Sequence, residues 1–290
     1  MASLYELHDQ PSLDSPVLVM VLEGWIDAGY AATTAAQTLL KGLDTFPLAT
    51  FDSDTLLDHR ARRPIMHLVD GVNTGLSWPG LEMRAGTDLE GNDLLLLLGS
   101  EPDHAWRAFT DAALGLAQDF GCRMVVGLGA YPATVPHTRP STLSVTATNP
   151  ELASVSGLLR GTLDVPAGVQ AAIERRCDEL ELPAIGLWAQ VPHYVGGDSS
   201  PYPAASLALI RQLERTASLS LPTGTLADDA EETRARIDAA LSQNPEHQAM
   251  VRSLEERHDE LTQAGPGEIP SADELAEEVE RFLRDQGPTE

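Results

Sequence analysis

The chain has 290 residues, and its 44 acidic and 19 basic residues give a formal net charge of -25, which disfavours nucleic acid and anionic membrane surfaces as partners. Its apolar share of 42% is ordinary for a globular protein, and no run of about 18 apolar residues predicts a membrane span. The first residues lack the pattern of a secretory signal, and Cys122 and Cys177 lie far apart without metal-ligand spacing, so we expect a cytoplasmic protein with free thiols and with neither metal nor cofactor.

Strand-like and helix-like segments alternate along the first part of the chain. Continuous apolar runs predict buried strands at 16–22 and 93–98. Further strands are predicted at 123–128 and 184–191, with shorter candidates at 48–51 and 65–69. Helical patterns predict helices at 29–40, from a capping box of Ser100 and Asp103 to about residue 119, at 165–181 and at 204–219. This alternation indicates a mostly parallel sheet that helices cover on both faces.

The composition changes near residue 221. Residues 218–290 contain 18 acidic residues and six arginines, and their apolar residues fall at helical spacings, among them Leu275, Val279, Phe282 and Leu283. We therefore predict an α/β core domain over 1–220 and an acidic helical extension over 221–290, broken at Asn244 and Pro245 and again at 265–270. The apolar stripes of these helices need burial against the core, a neighbouring subunit or a partner, and the three alternatives stay open.

Four loops follow predicted strands and carry much of the chain's ionisable and aromatic content. Their sequences are EGWIDAG, GSEPD, GAYPATVPHTRP and PHYVGGDSSP. In open parallel sheets, ligands bind beyond the carboxyl ends of the strands, so we expect these loops to form one pocket. The candidate ligand-binding residues are Glu23, Trp25, Asp27, Glu101, Asp103, Tyr131, His137, Arg139, His193 and Asp198.

The first loop has two interpretations. Glu23 and Asp27 could act as general acid and base, because two neighbouring carboxylates can hold different pKa values. Asp27 equally suits the N-cap of the helix that follows, and Trp25 suits either a ligand platform or a packing role. No G-x-S-x-G elbow occurs, so a covalent nucleophile is poorly supported and no catalytic residue is assigned.

The other loops are equally open. His137 and Arg139 beside a helix N-terminus could hold an anion, and Asp103 could be a first-turn helix acid. Arg60, Arg62 and Arg63 follow three aspartates, which indicates local ion pairing. The same arginines could form a basic lip for an acidic segment of a partner or of another subunit.

Five blocks together resemble the proteasome assembly chaperone two-like family. They are GWIDAG at 24–29, DSDTLLDHRARRP at 52–64, LLLLGSEPDHAWRAF at 95–109, GLGAYPATVPHTRP at 127–140 and VPHYVGGDSSPYPAAS at 191–206. The resemblance covers roughly residues 15–290, and the acidic helical tail resembles the actinobacterial branch.

The resemblance implies a three-layer α/β/α sandwich, similar in shape to phosphorylase-type and hydrolase-like folds, with a C-terminal α-helical extension. It also implies a cytoplasmic homo-oligomer, a trimer in this branch, that acts as a chaperone-like or adaptor-like interaction protein with a proteasome-related partner and no established reaction. Relatives that dock in proteasome α-ring pockets end in hydrophobic–Tyr–X, whereas this chain ends in QGPTE, so we do not expect that docking mode. The alternative function is a small-molecule binder, or an acid–base hydrolase or transferase, at the loop edge.

Overall fold

The computed structural model describes residues 4–24, 26–154, 162, 164–195 and 200–263. The strands of this part of the chain are β1 (Tyr5–Leu7), β2 (Val17–Glu23), β3 (Thr45–Phe51), β4 (Ile65–Val69), β5 (Val72–Ser77), β6 (Leu81–Thr87), β7 (Asp93–Ser100), β8 (Met124–Ala133), β9 (Leu143–Ala147) and β10 (Ala184–Pro192). Its α-helices are α1 (Ala31–Gly42), α2 (Ser53–Leu56), α3 (Trp106–Asp119), α4 (Pro150–Ala153), α5 (Val169–Glu179), α6 (Pro203–Ala217), α7 (Leu226–Leu241) and α8 (Pro245–Gln263).

Eight of the strands form one sheet in the order β1-β3-β6-β7-β2-β8-β10-β9. The four central strands β7, β2, β8 and β10 are parallel, and the strands outside them pair antiparallel. Helices α1 and α6 cover one face, and α3 and α5 cover the other. The predicted α/β sandwich is confirmed, with antiparallel borders where a short turn, as between β6 and β7, replaces a helical crossover.

The central strands are buried on both faces, as their continuous apolar sequences predict. Successive side chains of a strand point to opposite faces of the sheet. In β2, Val17, Val19 and Val21 therefore pack on the side of α1 and α6, while Leu18 and Met20 pack on the side of α3 and α5. The sheet is thus the middle layer between two apolar cores.

Both cysteines lie on the α3–α5 side of the sheet. Cys122 and Cys177 are buried and free, as expected from their spacing. Burial raises the pKa of Cys122 and raises that of Cys177 to about 12, so both thiols are protonated at neutral pH.

Helix α3 begins later than the sequence predicts. Ser100 is the last residue of β7, and Ala105 precedes the helix in a left-handed conformation with φ 53°. The amides of Asp103 and His104 both donate to the carbonyl of Leu56. The predicted capping box of Ser100 and Asp103 is therefore wrong, because this loop is fixed by the segment after β3 instead.

Two helices of the predicted acidic extension are present. Helix α7 packs on α6 of the same chain, with Leu226 buried and Ile237 partly buried against the core. The predicted break at Asn244 and Pro245 is confirmed, because α8 begins at Pro245. The second predicted break and the stripe from Leu275 onward lie outside the described residues, and the domain division at residue 220 stays a prediction. Across the described residues, no helix has the length and apolar character needed to cross a membrane.

Strands β4 and β5 form a separate hairpin outside the main sheet. Val69 pairs with Val72, so the turn consists of Asp70 and Gly71, which both have positive φ. An Asp-Gly pair is a preferred two-residue hairpin turn. Apart from the partly exposed Gly75, every residue of the two strands is exposed to solvent.

Candidate functional site

A small cleft lies at the carboxyl ends of the central parallel strands. Its polar lining comes from the end of β2, the following turn, the loop after β7, the start of α5 and strand β10, and includes Glu23, Asp27, Glu101, Gln170 and Trp188. Three of these residues were predicted for the site. The loops after β2 and β7 therefore meet as the parallel topology requires.

Asp27 anchors the first turn of α1. Its two carboxylate oxygens accept hydrogen bonds from the amides of Ala32 and Thr33, at 2.8 and 2.9 Å. These amides have no intrahelical acceptor, and a negative charge is favourable at a helix N-terminus. The structure therefore gives Asp27 the helix-capping role rather than that of a free acid or base.

Glu23 has a different environment from its neighbour. Burial, followed by repulsion from the Asp27 carboxylate, raises the pKa of Glu23 above its ordinary value. Both effects disfavour the charged form of the carboxyl group. The Glu23 carboxyl group is thus protonated more readily than that of an ordinary glutamate.

Glu101 joins the two loops to helix α5. Its amide donates to the carbonyl of Glu23 at 2.6 Å, and its carboxylate accepts from the amide of Val169 at 2.5 Å. Val169 is the first residue of α5. Glu101 therefore occupies the helix N-terminus that an anionic ligand would otherwise use.

Gln170 was missed by the sequence analysis. Its side chain is 9% exposed, and its Nε2 has no hydrogen-bond partner among the described residues. It lies over Gly127, where a Cβ would come within 2.2 Å of Nε2. A glutamine on the buried face of α5 was the available signal, since buried amides need partners.

Asp103 lies beside the cleft and holds the segment before β4. It accepts from the amide of Asp58 at 2.8 Å and forms an ion pair with Arg62. Burial alone would raise the pKa of Asp103, but the hydrogen bonds from Arg62 and Asp58 hold it below its usual value. The Arg62 guanidinium lies against Gly24, where a Cβ would be only 2.6 Å from Nη2.

His137 lies apart from the cleft and contacts helix α7. The Tyr194 hydroxyl accepts from the His137 amide at 2.8 Å and lies 2.7 Å from Nδ1. The ring Nε2 lies 3.0 Å from the Asp238 carboxylate, which can only accept when ionised. In the neutral ring, Nε2 therefore donates to Asp238, and Nδ1 accepts from the Tyr194 hydroxyl.

Arg139 likewise binds the C-terminal helices. Its Nε and Nη2 donate to the two oxygens of Asp259, each at 2.8 Å, and Nη1 donates to Glu255 at 3.1 Å. The Thr138 hydroxyl donates to the same Glu255 oxygen at 2.5 Å. The acidic face of α8 thus takes the place of the anion that the sequence analysis considered for His137 and Arg139.

The remaining predicted residues are distributed more widely. The Tyr131 hydroxyl accepts from Gln190 at 2.8 Å, and the exposed His193 lies 3.3 Å from the carbonyl of Ala133 through Nδ1. Trp25 and Asp198 lie outside the described residues. The structure therefore brings Glu23, Asp27 and Glu101 together, with Asp103 next to them, and places His137 and Arg139 against α7 and α8.

The cleft is small, and two of its three carboxylates already accept hydrogen bonds from backbone amides. Its enclosed part measures about 30 Å³, which is room for about two water molecules. Asp27 and Glu101 bind backbone amides, which leaves the Glu23 carboxyl and the Gln170 amide to bind a ligand. Within the described ranges, no group of three or more His, Cys, Asp or Glu side chains could hold a metal ion.

Comparisons with solved structures show the same fold. A Mycobacterium tuberculosis protein of unknown function is 38% identical, with 91% of each chain covered and a TM-score of 0.83. A second Mycobacterium tuberculosis protein, described as a proteasome-assembly chaperone homologue, is 32% identical, with 81% of this chain and 99% of that chain covered and a TM-score of 0.75. A PAC2 family protein from Streptomyces avermitilis is 34% identical, with coverages of 81% and 99% and a TM-score of 0.72.

No curated protein matches the chain. The model of the PAC2 family matches residues 21–241, a range that begins in β2, ends with α7 and includes the cleft, the hairpin and the first helix of the acidic extension. The chain therefore belongs to the PAC2 family.

Proposed function

We propose that this protein is a cytoplasmic protein-interaction factor of the assembly-chaperone or adaptor type, with a proteasome-related partner. We further propose that it works as a homo-oligomer, with a trimer favoured. The proposal concerns protein docking and assigns no reaction.

The observation that carries the proposal is the β4–β5 hairpin. Eleven large apolar side chains are exposed among the described residues, and seven of them lie between Ile65 and Trp78. A concentration of exposed apolar side chains on one hairpin is typical of a protein-binding site. A two-stranded hairpin is also marginally stable in water by itself, so a docked partner would stabilise it.

The comparisons support the same proposal. A structural relative with 32% identity is described as a proteasome-assembly chaperone homologue. The residues that match the family model include the hairpin and the loops that hold it. Both observations favour a role in binding other proteins.

The test is native mass spectrometry of tagged protein isolated gently from its host. We expect a homo-oligomer, and a second protein at fixed stoichiometry. Leu68→Asp should remove the second protein without unfolding the chain, because Leu68 is 57% exposed. The matched control is Leu89→Asp, since Leu89 is similarly exposed but lies in the β6–β7 turn at the opposite edge of the sheet.

Three results would contradict parts of the proposal. Isolation of the chain without any protein partner at several salt concentrations would contradict the docking function. Equal loss of the partner in Leu68→Asp and Leu89→Asp would show that the hairpin is not the docking site. A mass equal to that of one chain would contradict the homo-oligomer.

A second candidate function is the binding of a small molecule in the cleft, with acid–base hydrolysis or transfer as its chemistry. It is favoured by the raised pKa of Glu23 and by the unpartnered amide of Gln170, which would bind a ligand that offers both a donor and an acceptor. We expect a metabolite screen to raise the melting temperature of the wild type, and Glu23→Gln or Gln170→Leu to abolish that shift. A screen without any shift would argue against this function.

A further inference from the structure

The hairpin has an apolar surface and a basic root. Arg60 and Arg63 are exposed just before β4, and neither guanidinium forms an ion pair with a described residue. Their charge is unusual in a chain with a net charge of -25. An occupant of the hairpin should therefore be apolar on one side and acidic elsewhere.

One segment of this chain has that composition. Residues 264–290, which lie outside the described residues, contain eight acidic residues and two arginines. Ser271 and Glu274 have the spacing of a capping box, and the four apolar residues Leu275, Val279, Phe282 and Leu283 repeat at helical spacing. The sequence thus predicts an amphipathic acidic helix over 271–285.

The lengths of the two elements match. A helix of 15 residues is about 22 Å long, and the five and six residues of β4 and β5 span about 17–20 Å. One face of the hairpin is therefore as long as the apolar stripe of the predicted helix.

The last described helix and the hairpin are both anchored in loops after central parallel strands. Helix α8 ends four residues after Asp259, which Arg139 holds in the loop after β8. The hairpin root is held by Asp103 in the loop after β7. In the sheet order, β7 and β8 are separated by β2 alone, so both anchors belong to loops at the carboxyl ends of the central strands. Residues 264–270 span up to about 24 Å when extended.

We propose that residues 271–285 dock on the β4–β5 hairpin of their own chain and cover its apolar surface. The tether gives the segment an effective concentration on the order of millimolar, which favours its own hairpin over that of another copy. If the hairpin is also the partner's binding site, as in the proposed function, the segment competes with the partner for it. This consequence rests on the proposed function. The docking itself can be tested without any partner.

The experiment is disulfide formation in the full-length protein. Met66→Cys reports on one face of the hairpin and Ile65→Cys on the other, because successive strand residues alternate; each is combined with Val279→Cys. We expect one of the two double variants to form an intramolecular disulfide in most molecules under mild oxidation. The control pair is Leu89→Cys with Val279→Cys, which should stay reduced, and the native thiols are buried.

Hydrogen exchange gives a second readout. Val279→Asp should raise the exchange rates of the hairpin amides by about tenfold or more, because an uncovered hairpin opens readily. Thr289→Asp adds the same charge to the same segment beyond the predicted helix and should leave those rates unchanged.

The outcomes separate this inference from the proposed function. Absence of the disulfide in both double variants, with unchanged exchange in Val279→Asp, would overturn the inference. A disulfide found only between two chains would overturn the assignment to the same chain. Partner capture that is lost in Leu68→Asp but not increased in Val279→Asp would preserve the docking function and overturn the competition.

Discussion

Arg139 and Asp259 are joined by two parallel hydrogen bonds of 2.8 Å, from Nε and Nη2 to the two carboxylate oxygens. The pair connects the loop after a central strand with a helix 120 residues later. A planar guanidinium can make this forked contact, whereas the ammonium group of lysine cannot.

Arg139→Lys should therefore loosen α8 although it keeps the positive charge. We expect the amides of α8 to exchange roughly two- to fivefold faster, which is the modest effect of a partly exposed ion pair. Hydrogen exchange with mass spectrometry measures this, and Arg252→Lys on the same helix is the control. Identical exchange in the two variants would show that the forked geometry does not matter.

The same contact predicts a pH dependence. The hydrogen bond from Arg139 lowers the pKa of Asp259. A carboxyl group with a lowered pKa stabilises the fold above its unfolded value of about 3.9, and this contribution is lost as the pH falls through the lowered value. The difference in α8 amide exchange between wild type and Arg139→Lys should thus be complete at pH 6 and should vanish in strong acid.

Tyr194→Phe should destabilise the protein. The phenol oxygen serves both the amide and the ring Nδ1 of the buried His137, and its loss leaves both without this partner. The free energy of unfolding should fall by about 1–3 kcal/mol, measured by urea denaturation. Tyr30→Phe, at a side chain that is 46% exposed, should change it by less than about 0.5 kcal/mol, and an equal loss in both variants would contradict the assigned network.

Glu23→Gln should raise the melting temperature at pH 7 to 8. Burial and Asp27 raise the pKa of Glu23, so the ionised carboxylate destabilises the fold above that raised value. As the pH falls toward the unfolded pKa of about 4.3, protonation removes the cost, and the variant should lose its advantage over wild type. Melting curves across this range test it with the exposed Glu90→Gln as control, and an advantage that persists at pH 4 would exclude the electrostatic cause.

Gly99→Ala should be strongly destabilising. Gly99 has φ 124°, and a Cβ there would come within 2.1 Å of the carbonyl oxygen of Gly80. Strain and steric overlap should cost about 3 kcal/mol or more in denaturant unfolding. Gly115→Ala in α3, where a Cβ meets nothing within 4 Å, should instead stabilise by about 0.5–1 kcal/mol, and similar values for both would refute the steric argument.

The central strands could be predicted from the sequence because a strand buried on both faces has a continuous apolar pattern. Strand β6 was missed because Glu82 and Arg84 interrupt its apolar pattern. Arg84 binds Glu82 in the same strand and Thr45 in the neighbouring strand β3. Strand β5 was missed because VNTGLS is polar, although the preceding Asp-Gly pair was a sufficient hairpin signal. Local patterns thus identify burial better than they identify pairing.

The candidate site was predictable only in part. The carboxyl ends of parallel strands must meet, so the convergence of Glu23, Asp27 and Glu101 follows from topology. The contacts of His137 and Arg139 do not, because they join residues 101 to 120 positions apart. A histidine and an arginine in a strand-end loop have the same local sequence whether they face a ligand or another helix.

The two thiols on the α3–α5 side of the sheet make opening of the fold observable without any introduced cysteine. An alkylating reagent reacts with thiolate, and burial both hides Cys122 and Cys177 and keeps them protonated. Labelling in native buffer therefore proceeds only through openings that expose this helical layer. The rate of mass gain therefore measures how often those openings occur.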